Sequence, residues 1–431
     1  MQDVIIIGAG AAGLMAANEI SKKGKSVMIL EGRNRIGGRM HTINNTSFSF
    51  RVEAGAEFVH GELTNTIKIL KEANINHEIV SGESWQLHEG KIKRSEQFEY
   101  WDELLKKLKN LEQDEPIAQF LDKNFNDKKY SVLKKTVIQF VEGYDAADTT
   151  KASSKVLYKE WNNEDDEHQY RIKDGYIKLA EHLSDQCKKN GVEIELNAIV
   201  KEIHWKENEC KIITSNGKKY KSSKVICTVP ISILQRNEDD KAYIKFIPSI
   251  DEKINSAKQI GFGGVIKIVL EFKNAFWEDM LTSNQMKNVG FIFSEAFVPT
   301  WWSQLPYNKK MLTGWIAGPK ALSLKEANDD EILDHAINSL QEIFNCPIDL
   351  IKKNIKASLI TNWHKDPFSL GAYSYATLET AQARKILKNP VNNTIFFGGE
   401  ALFEGPQSAT VEGALQNGKD TAQALLTSFT M

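Results

Sequence analysis

Cysteine and proline are both scarce in this chain. The 431 residues include 10 prolines and four cysteines. The cysteines, Cys187, Cys210, Cys227 and Cys346, form no C-x-x-C pair, which argues against a disulfide framework or a cysteine-based metal centre and favours a reducing compartment. No proline-rich or serine-rich linker divides the sequence, although a chain of this length is too long for one simple core. We therefore expect two domains that interleave along the chain.

The chain also lacks an excess of either charge and lacks a long apolar run. Its 55 lysines and arginines nearly balance its 57 acids, so charge indicates neither nucleic acid nor an anionic membrane as a partner. The most apolar stretch, residues 4–17, is interrupted by three glycines, has no basic leader and is too short to span a bilayer. We expect a globular cytoplasmic protein with small-molecule partners. The acidic run at 162–169 is interpreted as a solvated loop, with attraction of polycations as the alternative.

A strand, a glycine-rich turn, a helix and a second strand follow one another at the start of the sequence. The segment DVIIIGAGAAGLMAANEISKKGKSVMILEGR ends its second strand, residues 26–30, on an acid, Glu31. Gly8, Gly10 and Gly13 fit G-x-G-x-x-G, in which the glycines permit a tight turn, close approach of a pyrophosphate and packing of helix on strand. Glu31 stands where an acid binds a ribose hydroxyl. The pattern predicts a bound dinucleotide, either NAD or FAD.

The rest of the chain alternates helical and strand patterns. The region from about residue 63 to 170 is mostly helical and strongly charged. VEIELNAIVKEIHW, CKIITSNGKKY and SSKVICTVP are interpreted as a β-meander with a tight turn at residues 216–217. KNVGFIFS and MLTGWIAG predict further strands, and a helix is expected within 329–344. A final helix is expected to begin near Ser408 or Thr410, either of which can serve as its N-cap.

One predicted strand, GVIKIVLEF at 264–272, carries a lysine near its middle. Alternation places Lys267 on the same face as Val265 and Val269, whereas three aliphatic residues point the other way. Both faces look buried, and a buried ammonium must be held by a partner. A lysine that reaches solvent at a sheet edge is the alternative. We expect Lys267 to be functional because lysines are seldom buried without a task.

Several motifs resemble FAD-dependent amine oxidases and their relatives. EGRNRIGGRMHT resembles the second motif of this family, and FFGGEALFEGPQSATVEGAL resembles the segment that closes its FAD site. VEGYDAAD, ICTVPISIL, GFGGVIKIVLEF and WHKDPFSLGAYSY occur in the family's order, so the resemblance spans nearly the whole chain. AGAEFVHG is most similar to the branch of polyamine oxidases and histone lysine demethylases.

The resemblance implies an α/β fold. A Rossmann-like FAD-binding domain, glutathione-reductase-like and of the amine oxidase type, is interleaved with an α+β substrate-binding domain. The expected FAD-binding segments are 1–75, 171–245 and 355–431, and the expected substrate-binding segments are 76–170 and 246–354.

The resemblance also implies FAD held without a covalent bond, because Ala372 stands where monoamine oxidases have the cysteine that binds the flavin. By resemblance Glu400 reaches the ribityl chain, Arg39 the pyrophosphate and Val200 the adenine. The expected cofactor-binding residues are Gly8, Gly10, Ala11, Ala12, Gly13, Glu31, Gly32, Arg33, Gly38, Arg39, Gly55, Ala56, Glu57, Val200, Val229, Trp363, Gly399, Glu400, Ala409, Thr410 and Val411.

Five residues are expected at the site of reaction. By resemblance Lys267 binds a water next to flavin N5, the atom that accepts hydride, and Tyr373 forms one wall of an aromatic cage. Thr410 stands where monoamine oxidases have the second cage tyrosine, so the cage is half aromatic. His60 is expected beside the substrate channel, with a structural histidine as the alternative. Trp363 is expected near the flavin, with a plain core aromatic as the alternative.

These residues predict an FAD-dependent amine oxidase with polyamines as the favoured substrates. Hydride passes to flavin N5, dioxygen is reduced to hydrogen peroxide, and no metal is required. An L-amino-acid oxidase is an alternative that needs an arginine clamp for the substrate carboxylate, for which Arg51 and Arg171 are candidates. A desaturase or protoporphyrinogen-oxidase relative would share the FAD motifs but would not need Lys267. A flavin-binding scaffold is the non-enzymatic alternative.

Overall fold

The computed structural model of the protein describes residues 1–88, 91–94, 99–162, 168–281 and 288–429. Its strands, in chain order, are β1 (Gln2–Ile7), β2 (Val27–Leu30), β3 (Thr42–Ile43), β4 (Val52–Glu53), β5 (Phe58–His60), β6 (His77–Ile79), β7 (Glu83–His88), β8 (Lys91–Arg94), β9 (Gln169–Ile172), β10 (Glu193–Glu195), β11 (Val200–Lys206), β12 (Glu209–Thr214), β13 (Lys219–Cys227), β14 (Lys245–Ile247), β15 (Gly261–Phe262), β16 (Val265–Phe272), β17 (Val289–Phe293), β18 (Thr300–Ser303), β19 (Met311–Ala317), β20 (Ile355–Asn362), β21 (Ser374–Tyr375) and β22 (Ile395–Phe397).

The helices, in chain order, are α1 (Ala11–Ser21), α2 (Thr64–Glu72), α3 (Trp101–Lys109), α4 (Ile117–Asn124), α5 (Ser131–Gly143), α6 (Ser154–Trp161), α7 (Ile177–Lys189), α8 (Ile231–Leu234), α9 (Asp251–Ala257), α10 (Phe276–Leu281), α11 (Gly318–Ser323), α12 (Asp329–Phe344), α13 (Ile348–Asn354), α14 (Thr380–Lys388) and α15 (Val411–Thr427). None of the helices within the described ranges combines the length and the apolarity that crossing a bilayer requires.

The first of two large sheets carries the dinucleotide pattern. Its strand order is β10-β2-β1-β13-β12-β11-β14, with β22 also paired to β13. The strands β2, β1, β13 and β22 run parallel. Both faces of β1 are covered, because Val4 and Ile6 belong to the core under α1 whereas Ile5 and Ile7 pack on the other side. The predicted β-α-β unit is confirmed.

The C-terminal helix α15 lies directly against α1. A β-carbon built on Gly418 would come within 2.4 Å of the carbonyl oxygen of Ala12, so the two backbones touch there. The carboxylate of Glu412 also accepts hydrogen bonds from the backbone amides of Asn65 (2.9 Å) and Thr66 (2.8 Å) at the start of α2. Residues from distant parts of the sequence therefore share one core.

The second sheet has the strand order β20-β16-β19-β18-β17-β7-β8. All eight residues of β16 are buried. Ile266, Ile268 and Leu270 face the core that α12 covers, so Lys267 is on the opposite face, as alternation predicts. Because β16 lies between β19 and β20, the alternative of a lysine at a sheet edge is wrong.

The structure confirms some predicted elements and corrects others. The meander β11-β12-β13 with a turn that contains residues 216–217, and the helix α12, are confirmed. Residues 193–195 of the first predicted meander strand instead form β10, which pairs in parallel with β2. The mostly helical prediction for 63–170 missed the short strands β6, β7 and β8. The strands β6 and β7 pair with the distant strands β9 and β17, and β8 forms a hairpin with β7, so pairing outweighs local propensity here. The four-residue strand β18 was also missed.

Two predicted features have no confirmation in the fold. The domain boundaries stay a prediction, and β20, assigned to the segment 355–431 of the FAD-binding domain, pairs with β16 of the second sheet. By hydrogen bonding β20 belongs with the second sheet. The acidic run at 162–169 falls mostly on residues 163–167, which lie outside the described residues.

Candidate active site

A cavity of about 990 Å³ extends between the two large sheets. Every residue predicted to bind the cofactor lines it, with the exception of Gly13. The five residues predicted at the site of reaction, Lys267, Tyr373, Thr410, His60 and Trp363, line it as well. The structure therefore brings the predicted cofactor residues and the predicted reaction residues to one cavity, although their individual roles stay predictions.

The glycine-rich turn lies at the edge of this cavity, where β1 passes into α1. Gly8 has a φ of +108°, which L side chains rarely adopt, and Gly10 is the N-cap of α1. A β-carbon on Gly13 would come within 2.0 Å of the Gly8 carbonyl oxygen, so this glycine serves packing and does not line the cavity. A β-carbon on Gly10 would meet no atom within 4 Å. The open space at a helix N-terminus fits a pyrophosphate.

Glu31 shapes the loop around this turn. Its Oε2 accepts a hydrogen bond from the amide of Ala9 (2.8 Å), and its Oε1 accepts one from the amide of Arg33 (2.9 Å). Both carboxylate oxygens are thus bound to backbone within the chain. The predicted contact of Glu31 with a ribose stays a prediction.

Two predicted cofactor residues, Arg39 and Glu400, form an ion pair. The Nη1 of Arg39 donates to Glu400 Oε1 (2.9 Å) and to the carbonyl of Ala372 (2.5 Å). The second oxygen of Glu400 accepts from the hydroxyl of Ser374 (2.6 Å). The pair fixes the guanidinium of Arg39 at the cavity wall, close to Ala372.

Thr410 is the N-cap of α15, which confirms the predicted start of this helix. Its Oγ1 accepts from the amide of Gly413 (3.1 Å) and donates to the carbonyl of Gln407 (2.6 Å). Ala409, just before it, has a φ of +64°. Val411 and Ala414 line the cavity, so the positive end of the helix dipole points to this space and favours negative charge there.

Lys267 is held on the cavity wall by two acceptors and is 1% exposed. Its Nζ donates to Glu57 Oε2 (2.6 Å) and to the carbonyl of Gly55 (3.0 Å). Glu57 was predicted as a cofactor-binding residue, and its bond to Lys267 was missed. Its second oxygen, Oε1, accepts from Arg171, from the indole of Trp302 and from the amide of Gln304.

The positive charges beside Glu57 affect its pKa more strongly than its burial does. Burial alone raises the pKa of a carboxyl group, but Lys267 and Arg171 lower the pKa of Glu57 to about 2. The neighbouring Glu53 has no such pair of cations. Burial raises the pKa of Glu53 to about 7, against the opposing effects of Lys267 and of the hydrogen bond from the amide of Tyr176.

The two arginines considered as a clamp for a substrate carboxylate are bound to other groups of the chain. Besides its bond to Glu57, Arg171 donates to the carbonyls of Ser303 (2.8 Å) and Leu305 (3.1 Å). Arg51 is exposed and donates to the carbonyl of Asp174 (3.3 Å). Neither arginine is among the described residues that line the cavity.

Aromatic side chains, among them Tyr144, Tyr373 and His60, line another part of the cavity. The hydroxyl of Tyr373 donates to the carbonyl of Tyr144 (2.5 Å), and burial, followed by the charge of Asp145, raises its pKa well above the usual value. The rings of His60 and Tyr144 meet edge to face at 5.8 Å. The Nε1 of Trp363 donates to the carbonyl of Ala54 (3.0 Å). These contacts fix several predicted residues in place.

Two carboxyl groups, Asp145 and Glu160, also line the cavity. Neither of them was predicted from the sequence as a site residue. Burial raises the pKa of Glu160 to about 7, against the opposing effect of a hydrogen bond with Ser408. Burial, followed by the charge of Glu160, raises the pKa of Asp145 well above its usual value. The Oδ2 of Asp145 has no hydrogen-bond partner among the described residues. Neither acid forms an ion pair with a lysine or arginine of those residues, although the positive charge of Arg384 also opposes the rise in the pKa of Glu160.

Comparison with known proteins decides the family. The model of the family of flavin containing amine oxidoreductases matches residues 11–426. The chain belongs to this family. Membership confirms the predicted resemblance and the predicted enzyme class, an amine oxidoreductase that uses flavin.

Relatives in this family carry different names. Lysine-specific histone demethylase 1 homolog 3 of Arabidopsis thaliana is 26% identical over 96% of this chain, which spans 29% of that protein. Lysine-specific histone demethylase 2 of Homo sapiens is 27% identical over 97% of this chain, which spans 52% of it. Polyamine oxidase 4 of Oryza sativa subsp. japonica is 26% identical, with 96% of this chain and 86% of that protein covered.

Solved structures of amine oxidases have the same fold. A putrescine oxidase bound to putrescine superimposes with a TM-score of 0.82 at 19% identity and covers 99% of both chains. Cyclohexylamine oxidase from Brevibacterium oxydans IH-35A gives 0.80 at 17% identity and covers 100% of both. The predicted α/β fold of the amine oxidase type is confirmed.

Proposed function

We propose that this protein is an FAD-dependent oxidase of polyamines or diamines. In the overall reaction, the bond between a methylene carbon and an amine nitrogen is cleaved with one water and one dioxygen. The carbon side leaves as an aldehyde, the nitrogen side as an amine, and dioxygen as hydrogen peroxide. One observation carries the proposal: the cavity that holds the dinucleotide loop and Lys267 is also lined by Asp145 and Glu160, two buried carboxyls that form no ion pair among the described residues. Such carboxyls favour a substrate that carries a second positive charge.

The cofactor is proposed to be FAD without a covalent bond to the protein. The glycine-rich turn and the N-termini of α1 and α15 fit its negatively charged groups. All four cysteines are buried and free, and none of them lines the cavity. Free cysteines also support the proposed cytoplasmic location. When bound, the flavin accepts a hydride from the substrate carbon and passes the electrons to dioxygen.

The residues of the chain bind and orient the substrate. Asp145 and Glu160 would hold an ammonium group that does not react, while Tyr144 and Tyr373 would exclude water around the reacting amine. Lys267 keeps an ammonium on the wall through its bonds to Glu57 and Gly55. Because that ammonium repels a second cation, the reacting nitrogen is favoured in its neutral form, which oxidation requires.

The test is an anaerobic visible spectrum of the purified protein with one amine added at a time. The panel contains polyamines, N-acetylated polyamines, diamines, arylalkylamines, a methyl-lysine peptide and L-amino acids. We expect the flavin band to bleach with polyamines or diamines, followed by peroxide release when air is admitted. Bleaching by L-amino acids alone, or by nothing in the panel, would contradict the proposal.

A further inference from the structure

Glu57 connects two cations that come from distant parts of the sequence. It precedes β5, whereas Arg171 lies on β9 and Lys267 on β16, 114 and 210 residues later. Each cation takes a separate oxygen, because Lys267 donates to Oε2 and Arg171 donates to Oε1. The side chains of all three are at most 5% exposed. Such a group is costly to bury unless every charge is paired.

The carboxylate fixes the direction of the lysine ammonium. An ammonium has three N–H donors, and Glu57 and the Gly55 carbonyl accept two of them from Lys267. The third has no acceptor among the described residues, and Lys267 lines the cavity. One N–H is therefore left for a water or a ligand in that space.

Arg171 in turn fixes the carboxylate. The Oε1 of Glu57 accepts from Arg171, Trp302 and Gln304, and the guanidinium of Arg171 is itself tied to the carbonyls of Ser303 and Leu305. Glu57 therefore cannot turn away from Lys267 without breaking several bonds. The low pKa of Glu57 agrees with a carboxylate that stays ionised.

We propose that Glu57 is a positioning residue that holds Lys267 as a fixed ammonium at the cavity wall, with Arg171 keeping Glu57 in place. The inference rests on the proposed function, in which Lys267 faces the flavin. A fixed cation stabilises negative charge that develops on the bound cofactor. Lys267 is poorly suited to act as a base, because it is already an ammonium and donates a hydrogen bond to the Glu57 carboxylate.

The test is the reduction potential of the bound flavin, measured against a reference dye without any amine. Three variants are compared with the parent chain: Glu57→Gln, Lys267→Met and the double variant. Lys267→Met removes the cation and is expected to shift the equilibrium about tenfold toward oxidised flavin, about 30 mV for a two-electron couple. Glu57→Gln keeps the cation but loses its fixed position, so a shift in the same direction is expected; a shift toward reduced flavin, which removal of a negative charge alone would give, would contradict the inference. Because Glu57 acts through Lys267, the double variant is expected to match Lys267→Met.

The matched control is Glu271→Gln. Glu271 lies on β16 like Lys267, is 4% exposed and pairs with a lysine, Lys356, but it does not line the cavity. Its variant is expected to leave the potential unchanged. Additive shifts from Glu57→Gln and Lys267→Met, or no shift from Glu57→Gln, would overturn the inference.

Two further measurements keep the outcome clear. If Glu57→Gln does not fold because Arg171 is left unpaired, the same comparison is made in an Arg171→Met background, with the same criteria. The potential needs no substrate, so it tests the positioning role separately from the amine panel. A protein that no amine reduces would contradict the proposed function, while the coupling of Glu57 to Lys267 would still be measured.

Discussion

Two groups of buried carboxyls line one cavity, and their surroundings are opposite. Glu57 is bound to Lys267 and Arg171, and these cations lower its pKa to about 2. Asp145 and Glu160 form no ion pair among the described residues, and burial raises the pKa of both, although the charge of Arg384 opposes this effect on Glu160. The comparison teaches that burial alone does not decide the charge of a carboxyl, because nearby cations can reverse its effect.

The difference assigns different tasks to the two groups. The group around Glu57 is complete within the chain, so it organises the wall of the cavity. The group of Asp145 and Glu160 becomes complete only when a cation enters, so it is suited to recognise a substrate. Each of the following experiments changes a residue of one group.

The largest expected effect is on stability. Glu57→Gln leaves Arg171 and Lys267 without their counter-charge, and breaking a buried ion pair costs about 3–5 kcal/mol of unfolding free energy. Asp145→Asn removes no pair and is expected to cost far less at pH 7. The stabilisation from Glu57 is present above about pH 4.5 and is lost as the pH falls toward about 2, because its folded pKa is lowered. Denaturant unfolding at pH 7 and pH 3 tests both points, and equal losses in the two variants would contradict the comparison.

The next effect is on the reaction. Lys267→Met is expected to slow flavin reduction, reoxidation or both by about 100-fold, as removal of one preorganised donor does elsewhere. Lys224→Met is the matched control, since Lys224 is also 1% exposed and bound to Asn208 and Asn393 but does not line the cavity. Stopped-flow absorbance measures both half-reactions, and unchanged rates in Lys267→Met would remove it from the mechanism.

A smaller effect is expected on the choice of substrate. Glu160→Gln removes one charge that would bind the second ammonium, so the ratio of KM for a diamine to KM for a monoamine of equal length is expected to rise about tenfold. Glu103→Gln, in α3 and outside the cavity, is the control. Steady-state peroxide production gives the ratio. A ratio that stays constant would show that Glu160 does not read the second charge.

The smallest effect is on pH dependence. Because the pKa of Glu160 is raised to about 7, its carboxylate forms only as the pH rises through that value. The KM for a diamine is therefore expected to rise as the pH falls below 7, by at most tenfold per pH unit. Comparison with Glu160→Gln separates this change from protonation of the amine itself. A diamine KM that varies equally in both proteins would contradict the assignment.

The sequence predicted the glycine-rich turn and the face of Lys267 but missed the two acids Asp145 and Glu160 of the cavity. The turn at Gly8, Gly10 and Gly13 is recognisable because its chemistry is local: a positive φ at Gly8 and close packing at Gly13 demand glycine, and Gly10 leaves room for a ligand to approach the backbone. The alternation in β16 likewise placed Lys267 on the correct face. Both patterns depend on residues that are near one another in the chain.

The pairings that depend on tertiary structure were not predictable in this way. Glu57 and Arg171 lie on short segments, and no local pattern reports that they meet. Asp145 follows the end of α5, and Glu160 lies in the last turn of α6, within a stretch predicted only to be mostly helical and strongly charged. Periodicity separates the faces of a helix, but only the packing of neighbouring elements decides which face meets the cavity.

The contact between α1 and α15 has a consequence for the synthesis of the protein. The dinucleotide turn at residues 8–13 leaves the ribosome long before the helix that packs beside it, which spans Val411–Thr427. Domains generally fold as units, and N-terminal domains fold first during synthesis. Here the turn stays without its cover until about 400 further residues have been added. We therefore expect this part of the cavity to assemble, and flavin to be held stably, only after α15 has been synthesised.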